Sequence, residues 1–202
     1  MRQRLALLAG AFAAILIAAG AWLGFVYSGV YNVAASDEHA PWTAWTLETI
    51  SERSVKRRAG ELPAPLPTDS AALLHGFEHY RAMCEVCHGA PGVDRSELAE
   101  GLNPRPPRLA RAARDWSDAE LFWITKHGIK ATGMPAFGGT HDDASLLQIV
   151  AIVRRLPDMT EEQYADLVAA VTAAGIEHTE AGDSTAGGAG HSHAPGTASH
   201  SH

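Results

Sequence analysis

Cysteine is scarce: the 202 residues include two, which excludes a fold stapled by several disulfides. Excess positive charge is also missing. The formal net charge is −7, which argues against a nucleic-acid binder held by phosphate contacts. Strand-like alternation and internal repeats are absent throughout, so an all-α chain is expected. Charged residues make up 19% and apolar types 46%, enough apolar surface for most of the chain to fold around a core.

The missing charges are distributed unevenly. Between Leu5 and Ser36 there is no Asp, Glu, Lys or Arg, and only Arg2 and Arg4 precede that stretch. As a helix, Leu5–Tyr27 spans about 34 Å, enough for a hydrocarbon core of about 30 Å. A helix also satisfies every backbone polar group within lipid. Trp22, Tyr27 and Tyr31 fall where an interfacial aromatic belt lies, and Arg2 and Arg4 favour the cytoplasmic side. The competing reading is a cleaved signal peptide cut after Ala35. Its apolar core would be about 7–15 residues, and this stretch is longer. A single retained N-terminal anchor is therefore expected, with the rest of the chain outside the cytoplasm of a bacterial inner membrane.

Beyond the anchor, residues 41–58 read as a helix with Trp42, Trp45, Leu47, Ile50 and Val55 as apolar points. Trp42 and Trp45 are expected to contact either lipid headgroups or the folded domain. Pro63, Pro65 and Pro67 predict a stiff linker and a domain boundary. A helix capped by Asp69 or Ser70 is expected to run to about Ala82, with Leu73, Leu74, Phe77 and Tyr80 on one stripe. Residues 90–108, rich in proline, read as loop. Ser117 and Glu120 form a capping box for a helix to about Lys126. Asp142 or Asp143 caps a helix to about Leu156, and Thr160 with Gln163 opens another to about Ala173. The expected segments are an anchor over 1–35, a Trp-containing helix and linker over 36–68, a central domain over 69–158, a helical extension over 159–180 and a disordered His-rich tail over 181–202.

Cys84-Glu85-Val86-Cys87-His88 carries the chemistry. C-x-x-C-H is the pattern of covalent c-type haem attachment. Two thiols three residues apart in one helical turn reach the two vinyl groups on one porphyrin edge, and the next residue offers its imidazole to the iron. A thioredoxin-like dithiol needs a βαβ context, and structural zinc needs four ligands; neither is present in the sequence. One covalent haem c is therefore expected, with Cys84 and Cys87 attaching it and His88 as axial ligand. Electron transfer calls for a sixth ligand. Met134, His127, His141 and Met159 are the candidates, and Met134 leads because its Thr132-Gly133-Met134-Pro135 turn leaves the thioether accessible.

These residues bring the chain to a family. Gly76-x-x-x-Tyr80-x-x-x-Cys84-x-x-Cys87-His88-Gly89, followed by Gly128-Ile129-x-x-Thr132-Gly133-Met134-Pro135-Ala136-Phe137 and a last apolar helix, resembles class I cytochrome c over about residues 69–158. The resemblance implies that helix 70–82 crosses helix 143–156 near a right angle, with Gly76 at the close approach. It implies His88 and Met134 as the axial pair. It also implies that a proline carbonyl, that of Pro107 or its neighbour Pro106, accepts the His88 ring N–H. More weakly, the segment from Tyr31 onward is similar to membrane-anchored bacterial monohaem cytochromes.

Lesser signals point both ways. Arg105, Arg108, Arg111 and Arg114 recur every three residues; Arg108 is a candidate for a haem propionate, the set could form a basic docking patch for an acidic partner, and a solvated, acid-balanced face explains the row equally well. Trp123 is a candidate pocket wall, as is Trp116, with plain packing the alternative. His191, His193, His200 and His202 in the tail are a speculative site for Cu(II), Ni(II) or Zn(II). His75 and His79 could pair on a helix, although an exposed face explains them better. The expected function is one-electron transfer by a membrane-tethered, periplasm-facing cytochrome. Its expected partners are a redox donor and acceptor in a membrane respiratory complex, and it has no catalytic residue of its own. The other readings are a haem enzyme or gas-binding protein with an open sixth site, metal handling through the tail, and a fixed subunit of a larger complex.

Overall fold

The computed structural model describes residues 2–176, and the tail histidines His191, His193, His200 and His202 lie outside them. The chain divides into two compact units, at residue 40. In the first, helix α1 covers Arg2–Tyr27 with no buried residue, and an 18-residue stretch of it has mean hydropathy 2.2; by length and composition it could cross a membrane.

The second unit begins with α2, Pro41–Arg58, and is helical, with no strand among the described residues. Val55 of α2 is buried, and Leu62 and Leu66 of the proline segment pack against the core. The division therefore falls upstream of the prolines. The expected linker at Pro63–Pro67 instead lies along the folded unit, because two leucines of that segment find apolar partners.

Helix α3, Ser70–His79, starts where Asp69 accepts the Ala72 N–H on its side chain at 2.9 Å. It does not stop near Ala82. A π-turn over Tyr80–Cys84 joins it to α4, Glu85–His88, so one helical run carries the whole attachment motif. The extra residue in that turn rotates α4 by about 100° relative to an unbroken α-helix. Two short elements, α5 (Glu97–Glu100) and α6 (Leu109–Ala112), punctuate the chain between α4 and residue 113. The first lies within residues 90–108, expected as loop; Ser96 caps it, a signal too short to register as periodicity.

Three helices close the unit. Helix α7, Asp118–His127, opens with the Ser117–Glu120 capping box. Helix α8, Asp143–Arg155, has Asp142 as its cap. Helix α9, Glu161–Ala174, opens with the Thr160–Gln163 box and ends at Gly175 in the left-handed region. Helix α8 is the centre of the core: Leu146, Ile149, Val150 and Ile152 are essentially inaccessible to solvent. Each contributes roughly 1.5–3 kcal/mol by burial. Packing of α3 on α8 depends on Gly76, where a β-carbon would stand 2.3 Å from the Gln148 carbonyl oxygen. The α9 face adds Tyr164, whose ring lies 4.9 Å from that of Phe77 and whose hydroxyl donates to Glu85 within the attachment motif.

Candidate haem-binding site

The cysteines sit on the π-turn and the turn after it. Both are free thiols, Cys84 buried and Cys87 half-buried. Burial, reinforced by the neighbouring Cys87, pushes the Cys84 pKa up to about 12. A neutral sulfur is what a thioether also presents, so the site needs no charge to be buried there.

His88 is the best-defined group. Its Nδ1 lies 2.7 Å from the Pro107 carbonyl oxygen. A carbonyl only accepts, so Nδ1 carries the proton and Nε2 keeps its lone pair for a metal. This is the tautomer and orientation that a partner behind a metal-bound histidine imposes. Burial lowers the His88 pKa from the ordinary histidine value; the Pro107 bond opposes this and Arg95 adds to it. The carbonyl of Pro106 is engaged elsewhere, accepting from the Arg95 guanidinium at 2.6 Å. Arg95 also pairs with Glu100 at 3.1 Å. Tyr80 fixes the end of the helical run, its buried hydroxyl donating to the Gly89 carbonyl at 2.5 Å.

Met134 lies half-buried in the turn that follows α7. Its N–H donates to Thr132 Oγ1 at 3.1 Å, and its carbonyl accepts from Ile129 at 3.2 Å. The Thr132 hydroxyl donates in turn to the Ile129 carbonyl at 2.8 Å. Gly128 has φ +63°, and a β-carbon there would meet the Met134 carbonyl oxygen at 2.7 Å. At Gly133 a β-carbon would stand 2.8 Å from Leu102 Cδ1. The methionine turn therefore packs on the same 97–108 segment that supplies Pro107 to His88.

The other candidate sixth ligands differ in setting. His141 is buried with its ring 5.2 Å from that of His79, and its Nδ1 lies 2.8 Å from the Thr140 hydroxyl. The exposed His127 has its ring 4.9 Å from that of Trp123, and Met159 packs against the core. Burial of His79 corrects the expectation of an exposed His75–His79 face: only His75 is exposed. The π-turn begins at the next residue, Tyr80, which is fully buried.

Arg108 pairs with Asp94 at 2.7 Å, Arg105 with Glu100 at 3.2 Å, and Arg114 with Asp158 at 2.7 Å. Three of the four arginines thus have acidic neighbours, as the acid-balanced reading of the row expects. Arg95 escaped sequence reasoning altogether. It stands outside the three-residue repeat, and only folding brings it beside His88.

Two free thiols on one helical run, a buried imidazole with a committed Nδ1 and an available Nε2, and a pinned methionine turn fit one covalently attached haem. The family model for cytochrome c oxidase, cbb3-type, subunit III, matches residues 71–152. These residues are a c-type cytochrome domain. A quinohemoprotein alcohol dehydrogenase of Comamonas testosteroni is 30% identical over 130 residues, 60% of this chain. The aligned region spans 17% of that relative, so the likeness concerns one region of a much longer protein. A cytochrome c domain implies covalent haem c and haem-based electron transfer, and Cys84 and Cys87 have the required spacing.

Proposed function

We propose that the protein is a membrane-tethered carrier of single electrons, its haem domain on the periplasmic side and its iron held between His88 and Met134. The 2.7 Å contact between His88 Nδ1 and the Pro107 carbonyl carries the reading, because it presets one axial ligand in the tautomer that binds metal. The haem, when bound, supplies the Fe(III)/Fe(II) couple. The chain's own part is to keep that ligand set unchanged. Pro107 holds the His88 ring, and the Tyr80–Gly89 bond holds the helix end. Thr132 and Ile129 hold the methionine backbone, so little rearrangement accompanies gain or loss of an electron. With haem bound, the His88 imidazole and the Met134 thioether would hold the iron, a donor pair that raises the reduction potential.

Helix α1 supports the tether, and Arg2 and Arg4 at its start support the orientation. An anchor raises the effective concentration of the domain near membrane partners, which suits a respiratory donor and acceptor. A second reading, a fixed subunit of an oxidoreductase complex, is favoured by the family match, whose name is that of an oxidase subunit. Co-purification of stoichiometric partners after mild solubilisation distinguishes it from a free carrier.

The decisive test is the absorption spectrum of the haem-loaded protein, oxidised and reduced, beside Met134→Ala. Loss of the long-wavelength charge-transfer band of thioether-ligated ferric haem in the variant supports the carrier. A high-spin wild-type spectrum that shifts with cyanide or carbon monoxide would overturn it in favour of an open-site enzyme or gas binder.

A further inference from the structure

Helix α2 leaves one face bare. Trp42, Trp45 and Ile50 are 70%, 67% and 61% exposed. At about 100° per residue these three, with Arg53 and Arg57, fall within an arc of about 140°. Val55, 1% exposed, lies on the other side of the helix, and α2 packs against α7. The two tryptophans thus keep most of their surface outside the folded unit, which favours the lipid contact of the two expected for them. Along the bare face, aromatic and aliphatic groups come first and exposed guanidinium groups come after them.

We propose that this face of α2 docks on the lipid interface of the membrane that holds α1. The proposal rests on the anchor reading. Chain continuity identifies the occupant: 13 residues, 28–40, separate the end of α1 from the start of α2. At no more than about 3.5 Å each, they tether the face within roughly 45 Å of the end of α1. Tryptophan settles at the boundary of headgroup and hydrocarbon because its ring is apolar and its N–H finds a polar partner. Arg53 and Arg57 match the phosphates of anionic lipid. Docking would make the haem domain lie on the membrane in one orientation instead of swinging freely on its tether.

The test uses full-length, haem-loaded protein in nanodiscs of phosphatidylethanolamine and phosphatidylglycerol. Thioether attachment consumes both native cysteines, so a spin label at Thr49→Cys, on the bare face, is the only free thiol. A second variant carries the label at Glu162→Cys on α9. The ratio of oxygen to nickel-chelate collisions should be several-fold higher at residue 49 than at residue 162. It should fall to the residue-162 value when Trp42→Ser and Trp45→Ser are added. Equal ratios at 49 and 162, with α1 resistant to an alkaline carbonate wash, overturn the docking and leave the face for a protein partner. Release by that wash, or an N-terminus beginning at Ser36, overturns the anchor reading and this proposal with it.

Discussion

The two sides of the proposed haem site are built differently. The histidine side is part of the core: His88 ends a helical run that begins at Ser70, packs on α8 at Gly76 and is bonded at its end through Tyr80 and Pro107. The methionine side is a turn, with Met134 half-buried and held by the Thr132 hydroxyl and one backbone bond from Ile129. Damage to the first side should therefore be read in global stability, and damage to the second in ligation before stability. A helix whose residues are buried opens only with the whole unit, whereas a turn held by local bonds opens by itself.

The sharpest way to break the comparison is Gly76→Ala. The new β-carbon meets backbone at the Gln148 carbonyl, which cannot rotate away, and the α3–α8 contact must separate. We expect a loss of about 3 kcal/mol in denaturant unfolding of the whole haem domain. A variant as stable as the wild type would mean that the histidine side does not depend on this packing. Tyr80→Phe is the milder cut, removing a buried hydroxyl from the Gly89 carbonyl. It should cost about 1–2 kcal/mol in the same global transition, with the Met134-dependent band disappearing together with the fold.

Thr132→Val is smaller still and acts on the other side. It removes the hydroxyl that bridges Ile129 and Met134 and should cost about 1 kcal/mol. On heating, the Met134-dependent band should vanish several degrees below global unfolding, while His88 and the thioethers hold the haem. Coincident loss of band and fold would show that the methionine turn is as much a part of the core as the histidine helix.

Much of this was legible in the residues. Capping boxes at Ser117 and Thr160 and the Asp142 cap each start a helix where expected, because a side chain that satisfies a neighbouring backbone N–H acts over three residues. The π-turn over Tyr80–Cys84 was not legible, because no local composition marks it. Arg108 drew attention through its spacing, yet Asp94, fourteen residues upstream, is its partner. Arg95, which no pattern marked, is the one beside His88.

By itself the sequence determined the local and covalent chemistry: an apolar N-terminal helix, where the helices start, and two thiols and an imidazole at the spacing that holds a c-type haem. These arise from interactions over a few residues. Tertiary structure decided which proline carbonyl orients His88, which of His75 and His79 is buried, and that α2 belongs to the folded unit with its tryptophans left bare. Each of those depends on segments far apart in the chain meeting, and burial, unlike spacing, is a property of the packed molecule.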